Sequence, residues 1–133
     1  MKILQPPGWA APRGYVNGVA ARGTQVFVAG MIGWNAQCQW DIDGGGDDLV
    51  AQVRQALLNV RAVLAEAGAT PEHIVRMTWY LVDKQAYLAR AREIGAVYRE
   101  VIGSYAVAMT AVQVAALIED RAQVEIEVTA VVP

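Results

Sequence analysis

The sequence is poor in charge, in cysteine and in histidine. Charged residues make up 18% of its 133 residues, and it contains one cysteine and one histidine. A single cysteine cannot form an internal disulfide, and one cysteine with one histidine cannot supply the four ligands of a structural zinc site. We therefore expect neither a metal nor a cofactor.

The sequence also lacks a basic cluster and a long apolar run. Lys and Arg total 11 against 13 for Asp and Glu, a net charge of −2, whereas binding to a phosphate backbone usually needs a clustered basic face. The uncharged stretch 26–34 is far shorter than the ~20 residues that span a bilayer, and residues 1–4 run into Gln5-Pro6-Pro7 rather than into a signal sequence. These features predict a cytoplasmic protein with no membrane segment and argue against a nucleic-acid partner.

Apolar residues are abundant by contrast, at 55% of the chain. The length falls in the commonest range for one domain, roughly 100–150 residues, and this apolar fraction excludes a disordered chain. Because charged groups are few, part of the surface of such a small domain is expected to be apolar. Association with further copies of the chain would bury the remaining apolar surface, so we expect an oligomer.

Hydrophobic periodicity predicts alternating strands and helices behind an irregular arm. Residues 1–14 contain Pro6, Pro7 and Pro12 and form the arm, and 15–133 form a single domain. The predicted strands are 15–21, 25–32, 74–82, 105–116 and 122–132, and the predicted helices are one between Asp47 or Asp48 and Gly68 and one over 85–102. The order β-β-α-β-α-β-β predicts an α+β fold, with one mixed sheet, a hairpin at each end and both helices on one face.

The loop before the first helix carries Trp34 and Trp40. These tryptophans either line a site or pin the loop to the body of the protein or to a neighbouring subunit. The run Gly44–Gly46 superficially resembles a phosphate-binding loop, but Asp47 and Asp48 follow it at once and would repel phosphate. We reject a phosphate loop.

Two glutamates in the last predicted strand are the main candidates for chemistry. Glu125 and Glu127 alternate with apolar residues, so both should point to the sheet face opposite the helices, roughly 7 Å apart. If this face meets another subunit, a carboxylate lies in a cleft. The alternative is that both are solvated or form a structural ion pair.

Other reactive side chains receive less support. His73 follows a turn and has no identifiable partner, which favours a surface or capping role. Cys38 has no neighbouring Lys or Arg to activate it, and Ser104 is not part of a Gly-x-Ser-x-Gly motif. A cysteine or serine nucleophile is therefore not predicted.

Four motifs in order along the chain resemble one known family. They are Gly14-Tyr15-Val16-Asn17-Gly18, Val26-Phe27-Val28-Ala29-Gly30, Arg54-Gln55-Ala56-Leu57-Leu58-Asn59-Val60 and Val124-Glu125-Ile126-Glu127. Together with the element order they resemble the RidA/YjgF family, also labelled reactive-intermediate imine deaminase or endoribonuclease L-PSP. The resemblance implies a chorismate-mutase-like fold and a homotrimer, with the three sheets forming a central barrel and ligand clefts between subunits.

The family's best-known activity is hydrolysis of 2-imino and 2-enamino acids to 2-oxo acids and ammonia. The resemblance assigns Tyr15 to the pocket and gives Glu125 the role of positioning the attacking water. The pocket serine falls on Ala29, the pocket cysteine on Ala111, and the arginine that binds the substrate carboxylate falls on Met109. Methionine offers neither a charge nor a hydrogen-bond donor.

This loss changes the ligand that we expect. A pocket with Met109, Ala111, Ala29 and Trp34 predicts an apolar or aromatic metabolite rather than a small 2-imino acid. The motif alignment places neither Arg76 nor Arg121 at the vacant position.

Three functions remain open at this point. The first is an atypical hydrolase of C=N bonds that uses Glu125 and water. The second is a non-catalytic trimer that binds or senses a small metabolite, and the third is a ribonuclease or another protein-level effector. The acidic balance of the chain disfavours the third.

Overall fold

The computed structural model describes residues 1–41 and 46–133. The strands of this part are β1 (Lys2–Ile3), β2 (Val19–Ala20), β3 (Thr24–Met31), β4 (Ile74–Leu81), β5 (Ala108–Gln113) and β6 (Val124–Val132). Its helices are α1 (Leu49–Glu66), α2 (Lys84–Ala89) and α3 (Ala91–Val101), with a 3-10 turn at Pro71–His73. The predicted α+β class is confirmed. The glycine run Gly44–Gly46, for which a phosphate-binding role was rejected above, lies outside the described residues except for Gly46.

The main sheet is mixed and has the order β3-β6-β4-β5. Strand β6 runs antiparallel to both β3 and β4, and β5 runs parallel to β4. Strand β6 is thus flanked on both sides. Its burial pattern alternates strictly over Val124–Thr129, as expected for a strand with two unlike faces.

The two predicted hairpins are wrong. Strand β2 has two residues and pairs with β1 instead of β3, and the backbone N–H of Leu4 donates to the carbonyl of Gly18 at 2.9 Å. Just before it, the backbone N–H of Val16 donates to the carbonyl of Val107 at 3.0 Å, so this stretch follows the β5 edge of the sheet. These pairings are long-range, and the short Gly-containing turn near Gly23 carries no information about them.

The last two strands do not pair with each other either. Strand β6 lies between β3 and β4, and β5 pairs with β4 at the edge. Strands β6 and β4 are therefore the two inner strands, and each has a neighbour on both sides to satisfy its backbone N–H and C=O groups.

Helix α1 confirms its predicted end signals. The Asp48 carboxylate accepts a hydrogen bond from the backbone N–H of Ala51 at 3.0 Å, and Gly68 adopts a φ of 67° after the last turn. The side chains on its inner face are completely buried: Val53, Ala56, Leu57, Val60 and Leu64.

The helix predicted over 85–102 is two helices. The chain leaves helical geometry at Arg90, with a φ of −109° and a ψ of 15°. The Arg90 guanidinium donates to Asp48 at 3.0 Å and to Glu93 at 2.8 Å, so it joins the start of α3 to the start of α1. Side-chain hydrogen bonds of this kind leave no periodic pattern in the sequence. The hydrophobic spacing therefore predicted one continuous helix across Arg90.

Helices α1 and α3 pack together on one face of the sheet, as predicted. Trp79, Met77 and Ile126 lie in the core between sheet and helices and are at most 2% exposed. On the other face the side chain of Phe27 is 71% exposed. We call these the helix face and the open face. In the part of the chain that the structure describes, no helix is long and apolar enough to cross a membrane.

Candidate functional site

The alternation predicted for β6 is confirmed. Val124 and Ile126 are completely buried on the helix face, whereas Glu125 and Glu127 are partly buried on the open face. In the pairing with β4, Glu125 lies opposite Tyr80 and Glu127 lies opposite Thr78. The two carboxylates are therefore placed side by side along the centre of the open face.

The two glutamates differ in their contacts. The Tyr80 hydroxyl donates a hydrogen bond to Glu127 Oε1 at 2.6 Å, and this bond raises the pKa of Tyr80. Among residues 1–41 and 46–133, Glu125 has no hydrogen-bond or ion-pair partner. Glu127 is thus engaged within the chain, whereas both oxygens of Glu125 remain available to a water or a ligand.

The carboxylate of Glu125 rests directly on the backbone of β3. A Cβ atom at Gly30 would lie 2.7 Å from Glu125 Cδ and 3.0 Å from Glu125 Oε2, closer than atoms can approach. The β3–β6 register shifts at this point, between Val28 and Met31. Gly30 was not predicted as a site residue, although a glycine inside a strand often marks a close approach of this kind.

A hollow of about 430 Å³ lies on the open face and includes Glu127 but not Glu125. It is lined by Phe27, Val28, Ala29, Arg76, Thr78, Glu127, Val128 and Thr129. Ala29, the position of the family's pocket serine, thus lies on the same face as Glu125 and next to Gly30.

A second hollow, of about 290 Å³, lies at the β5 edge of the sheet. It is lined by Tyr15, Val16, Asn17, Arg76, Ala108, Met109 and Thr110, so Tyr15 and Met109 do come together. We call it the edge hollow. Arg76 lies opposite Ala108 in the β4–β5 register and belongs to both hollows. The motif alignment did not place Arg76 at the vacant arginine position, because Arg76 lies on the neighbouring strand, β4.

Met109 also borders an aromatic cavity on the helix face, of about 370 Å³. Its lining is Gly14, Trp79, Tyr87, Ala91, Ile94, Gly95, Tyr98, Arg99, Gly103, Ser104, Tyr105 and Met109. The Trp79 ring centroid lies 6.2 Å from that of Tyr87 and 6.4 Å from that of Tyr98. Burial raises the pKa of Tyr87, and it raises the pKa of Tyr98 to about 12, so both phenols are neutral at pH 7.

The predicted site residues therefore fall into two groups. Glu125 and Ala29 lie on the open face, whereas Met109 lies at the β5 edge and packs against the core. Ala111 lies two residues further along β5, opposite Trp79, and is exposed. The cavities and hollows described above do not unite Glu125 with Met109 in one chain.

Trp34 and Trp40 contact each other at 6.0 Å between ring centroids. The guanidinium of Arg121 lies 5.4 Å from the centroid of Trp40 and also pairs with Asp47 at 2.9 Å. Asn59 donates to the carbonyl of Trp34 at 2.8 Å. These contacts hold the loop against the body of the protein, which is one of the two roles that the sequence left open for the tryptophans.

The remaining side chains have local roles. His73 Nδ1 accepts from the backbone N–H of Thr70 at 3.0 Å, a capping contact of the predicted kind. Cys38 is exposed in a turn with a φ of 59°. Across 1–41 and 46–133, no group of three or more His, Cys, Asp or Glu side chains could hold a metal ion.

Comparison with known proteins gives one consistent family. The sequence profile described as Endoribonuclease L-PSP matches residues 8–132. The RutC family protein slr0709 of Synechocystis is 34% identical over 134 residues, covering 100% of this chain and 98% of that protein.

Solved structures agree with this result. The Rid family protein YyfB of Yersinia pestis, a protein of unknown function, is 34% identical with a TM-score of 0.76 and covers 98% of each chain. Escherichia coli TdcF, solved with bound serine, is 30% identical with a TM-score of 0.68 and covers 100% of each chain. The similarity thus extends over both groups of candidate residues.

Proposed function

Because the chain belongs to the Endoribonuclease L-PSP family, which includes the RidA/YjgF and RutC proteins, we propose that it is a homotrimer with small-molecule sites between its subunits. At each site Glu125 of one copy faces the edge hollow of its neighbour. There it positions a water that hydrolyses a C=N bond.

The observation that carries this proposal is the placement of Glu125. Its carboxylate is seated on Gly30, is partly buried and has no partner in the described part of the chain. A carboxylate with free lone pairs can hold a water molecule and accept its proton as the water attacks carbon. Attack gives a carbinolamine and passes one proton to nitrogen; the second proton of the water follows as the C–N bond breaks and the C=O bond forms. An imine and water thus yield a carbonyl compound and ammonia, without a redox step.

The open face supports the trimer. Phe27 is 71% exposed there, beside a hollow that contains Arg76 and Glu127. Contact between the open faces of three copies would bury this apolar surface, which the small number of charges leaves uncovered. It would also join two groups of residues that one chain keeps apart.

Met109 sets the ligand class in this proposal. An arginine at that position would bind a carboxylate through charge-assisted hydrogen bonds, whereas methionine contributes only apolar surface. The trimer should therefore prefer an apolar or aromatic metabolite and should hydrolyse small 2-imino acids weakly. Arg76 in the same hollow is the side chain that could partly replace the missing charge.

A non-catalytic binding or sensing trimer is the second candidate. It is favoured by the apolar replacements Ala29, Met109 and Ala111 at the three altered positions. A ribonuclease, the activity in the family's description, is the third candidate. The net charge of −2 and the lack of a clustered basic sequence disfavour it.

The first test measures ammonia release from enzymatically generated 2-iminobutyrate and from N-unsubstituted imines of aryl ketones. Glu125→Gln should leave the trimer intact and lower any turnover by at least about a hundredfold. Glu127→Gln, the same change two residues along the strand, is the matched control and should retain most of the activity. Turnover that survives Glu125→Gln would refute water activation by this residue. Binding without turnover in the wild type would select the second candidate.

A second test restores the missing arginine. Met109→Arg should increase hydrolysis of 2-iminobutyrate over the wild type, and it should lower thermal stability without ligand because it places a charge against the core. Arg76→Gln is the companion variant. If the wild type is already fast on 2-imino acids and Arg76→Gln abolishes this, then Arg76 is the carboxylate-binding group and the reading of Met109 is wrong.

A further inference from the structure

The short helix α2 forms one wall of the aromatic cavity and is weakly held. It has six residues, none of them buried, and Leu88 is 59% exposed. Ala86 and Tyr87 are partly buried and pack against the core, and the Tyr87 ring lies 6.2 Å from that of Trp79 between centroids. A segment with so few buried contacts has little to oppose its local opening.

The two ends of α2 are held differently. At its C-terminal end the Arg90 guanidinium donates to Asp48 and Glu93, so this end stays with the starts of α1 and α3. At its N-terminal end, among residues 1–41 and 46–133, one hydrogen bond links α2 to the sheet. The backbone N–H of Lys84 donates to Gln113 Oε1, at the end of β5, over 2.8 Å in an exposed position.

We propose that α2 is a lid on the aromatic cavity, which opens at the Lys84–Gln113 hydrogen bond while Arg90 holds α3 in place. The walls of the cavity divide in the same way. Tyr87 belongs to α2, whereas Ile94 belongs to α3. A single hydrogen bond contributes little net stability, so this one is made and broken easily. Opening removes one wall of the cavity and leaves the others standing.

The lid controls access to Met109 from the helix face. Met109 borders both the aromatic cavity and the edge hollow, so opening of α2 widens one of the two approaches to it. This motion belongs to the chain itself and needs neither Glu125 nor hydrolysis. The lid and the proposed function can therefore fail separately.

The first test uses a buried thiol, which reacts with dithiobis-nitrobenzoate only while it is exposed. Ile94→Cys places a thiol at a cavity position that is 4% exposed, in a Cys38→Ser background because Cys38 is exposed. Gln113→Ala removes the acceptor for Lys84, so opening should become more frequent and labelling about threefold to tenfold faster. Gln37→Ala, the same change in an exposed turn, should leave the labelling rate unchanged.

The urea dependence of labelling separates local opening from global unfolding. Val60→Cys, in the same background, places a thiol at a completely buried position on α1. Because global unfolding exposes far more surface than the opening of six residues, low urea concentrations should accelerate labelling steeply for Val60→Cys and slightly for Ile94→Cys. Equal urea dependence of the two thiols, or an Ile94→Cys rate that Gln113→Ala does not change, would overturn the proposal.

Hydrogen exchange tests the lid without a new thiol and stands even if Ile94→Cys does not fold. In the wild type the backbone amides of Leu88 and Ala89 should exchange with little dependence on urea, whereas those of Val97 and Tyr98 in α3 should depend on it steeply. Gln113→Ala should speed exchange at Leu88 and Ala89 about threefold to tenfold. A steep urea dependence at these two amides would show that α2 opens only with the whole molecule, and would contradict the lid.

Discussion

The two faces of the sheet differ in burial, although the same strands form both. Alternate residues of β6 are buried against the helices on one face, where Val124 and Ile126 are completely inaccessible. On the other face the neighbouring Glu125 is partly buried and without a partner in the described chain, and Phe27 is 71% exposed. One chain completes its core on the helix face. Its candidate catalytic group lies on the open face, which a neighbour would cover in the trimer that we propose.

The first way to sharpen this contrast is to remove one large apolar side chain from each face. Leu57→Ala empties a fully buried position on α1 and should lower the free energy of unfolding by about 2–5 kcal/mol. This loss should be the same at every protein concentration. Phe27→Ala should instead give a stability change that grows with protein concentration, because it acts through association. Urea titrations at two concentrations of each variant distinguish these cases, and identical behaviour of the two variants would remove the contrast.

The second prediction breaks the open face directly. Phe27→Asp places a charge where the proposed trimer buries an aromatic ring, and the desolvation cost should prevent association. Light scattering coupled to size exclusion should give about 14.3 kDa for this variant and about three times that for the wild type. Far-UV circular dichroism should show the secondary structure retained. A wild-type monomer at micromolar concentration would contradict the assembly on which the shared site depends.

The third prediction moves the candidate catalytic group without changing it. Gly30→Ala adds a carbon atom 2.7 Å from Glu125 Cδ, so the carboxylate must shift away from β3. Hydrolysis should fall about tenfold to a hundredfold, because small displacements of a reacting group are costly. The control is the same change in a Glu125→Gln background, where it should have no further effect. A multiplicative loss in the double variant would show that Gly30 acts elsewhere.

The smallest expected effect is on the pH dependence of stability, through the ion pairs of Arg90 with Asp48 and Glu93. The backbone N–H of Ala51 and the Arg90 guanidinium lower the pKa of Asp48, and Arg90 lowers that of Glu93. Because both folded-state values lie below the ordinary 3.8 and 4.5, the stabilisation is full above about pH 4.5 and is lost as the pH falls through the folded-state values.

Arg90→Gln should therefore be less stable than the wild type at pH 7, and the gap should narrow as the pH falls below about 4.5. Thermal midpoints measured from pH 7 to pH 3 test this, with Arg92→Gln in the first turn of α3 as the control. A gap that widens on acidification would show that the carboxylates are not the partners that matter.

The sequence predicted local features of this molecule much better than non-local ones. Helix α1 could be located from its period together with Asp48 and Gly68, and the face of Glu125 followed from simple alternation. The pairing of β2 with β1, the central position of β6 and the break at Arg90 depend on partners far away along the chain. The close contact between the Glu125 carboxylate and Gly30 also joins residues that are far apart along the chain.

The aromatic cavity was missed for a related reason. Trp79, Tyr87 and Tyr98 each fit an ordinary apolar position in a strand or helix pattern. The cavity depends on the space between these three side chains, which a linear pattern does not contain. The family resemblance supplied Tyr15 and Met109 as neighbours, because it carries three-dimensional information from other chains.

The central position of β6 also has a consequence for how the chain folds. Strands β3 and β4 both emerge from the ribosome before β6, and they do not pair with each other in the finished sheet. Until β6 is inserted, each has an unpaired edge, and the inner face of α1 has only part of its sheet to cover. Insertion of one late segment therefore closes two ladders at once, and folding dominated by such distant contacts is slow. Deleting β6 should separate β3 from the β4–β5 pair. Deleting β5, which lies at the edge, should leave the pairing of β3, β6 and β4 in place.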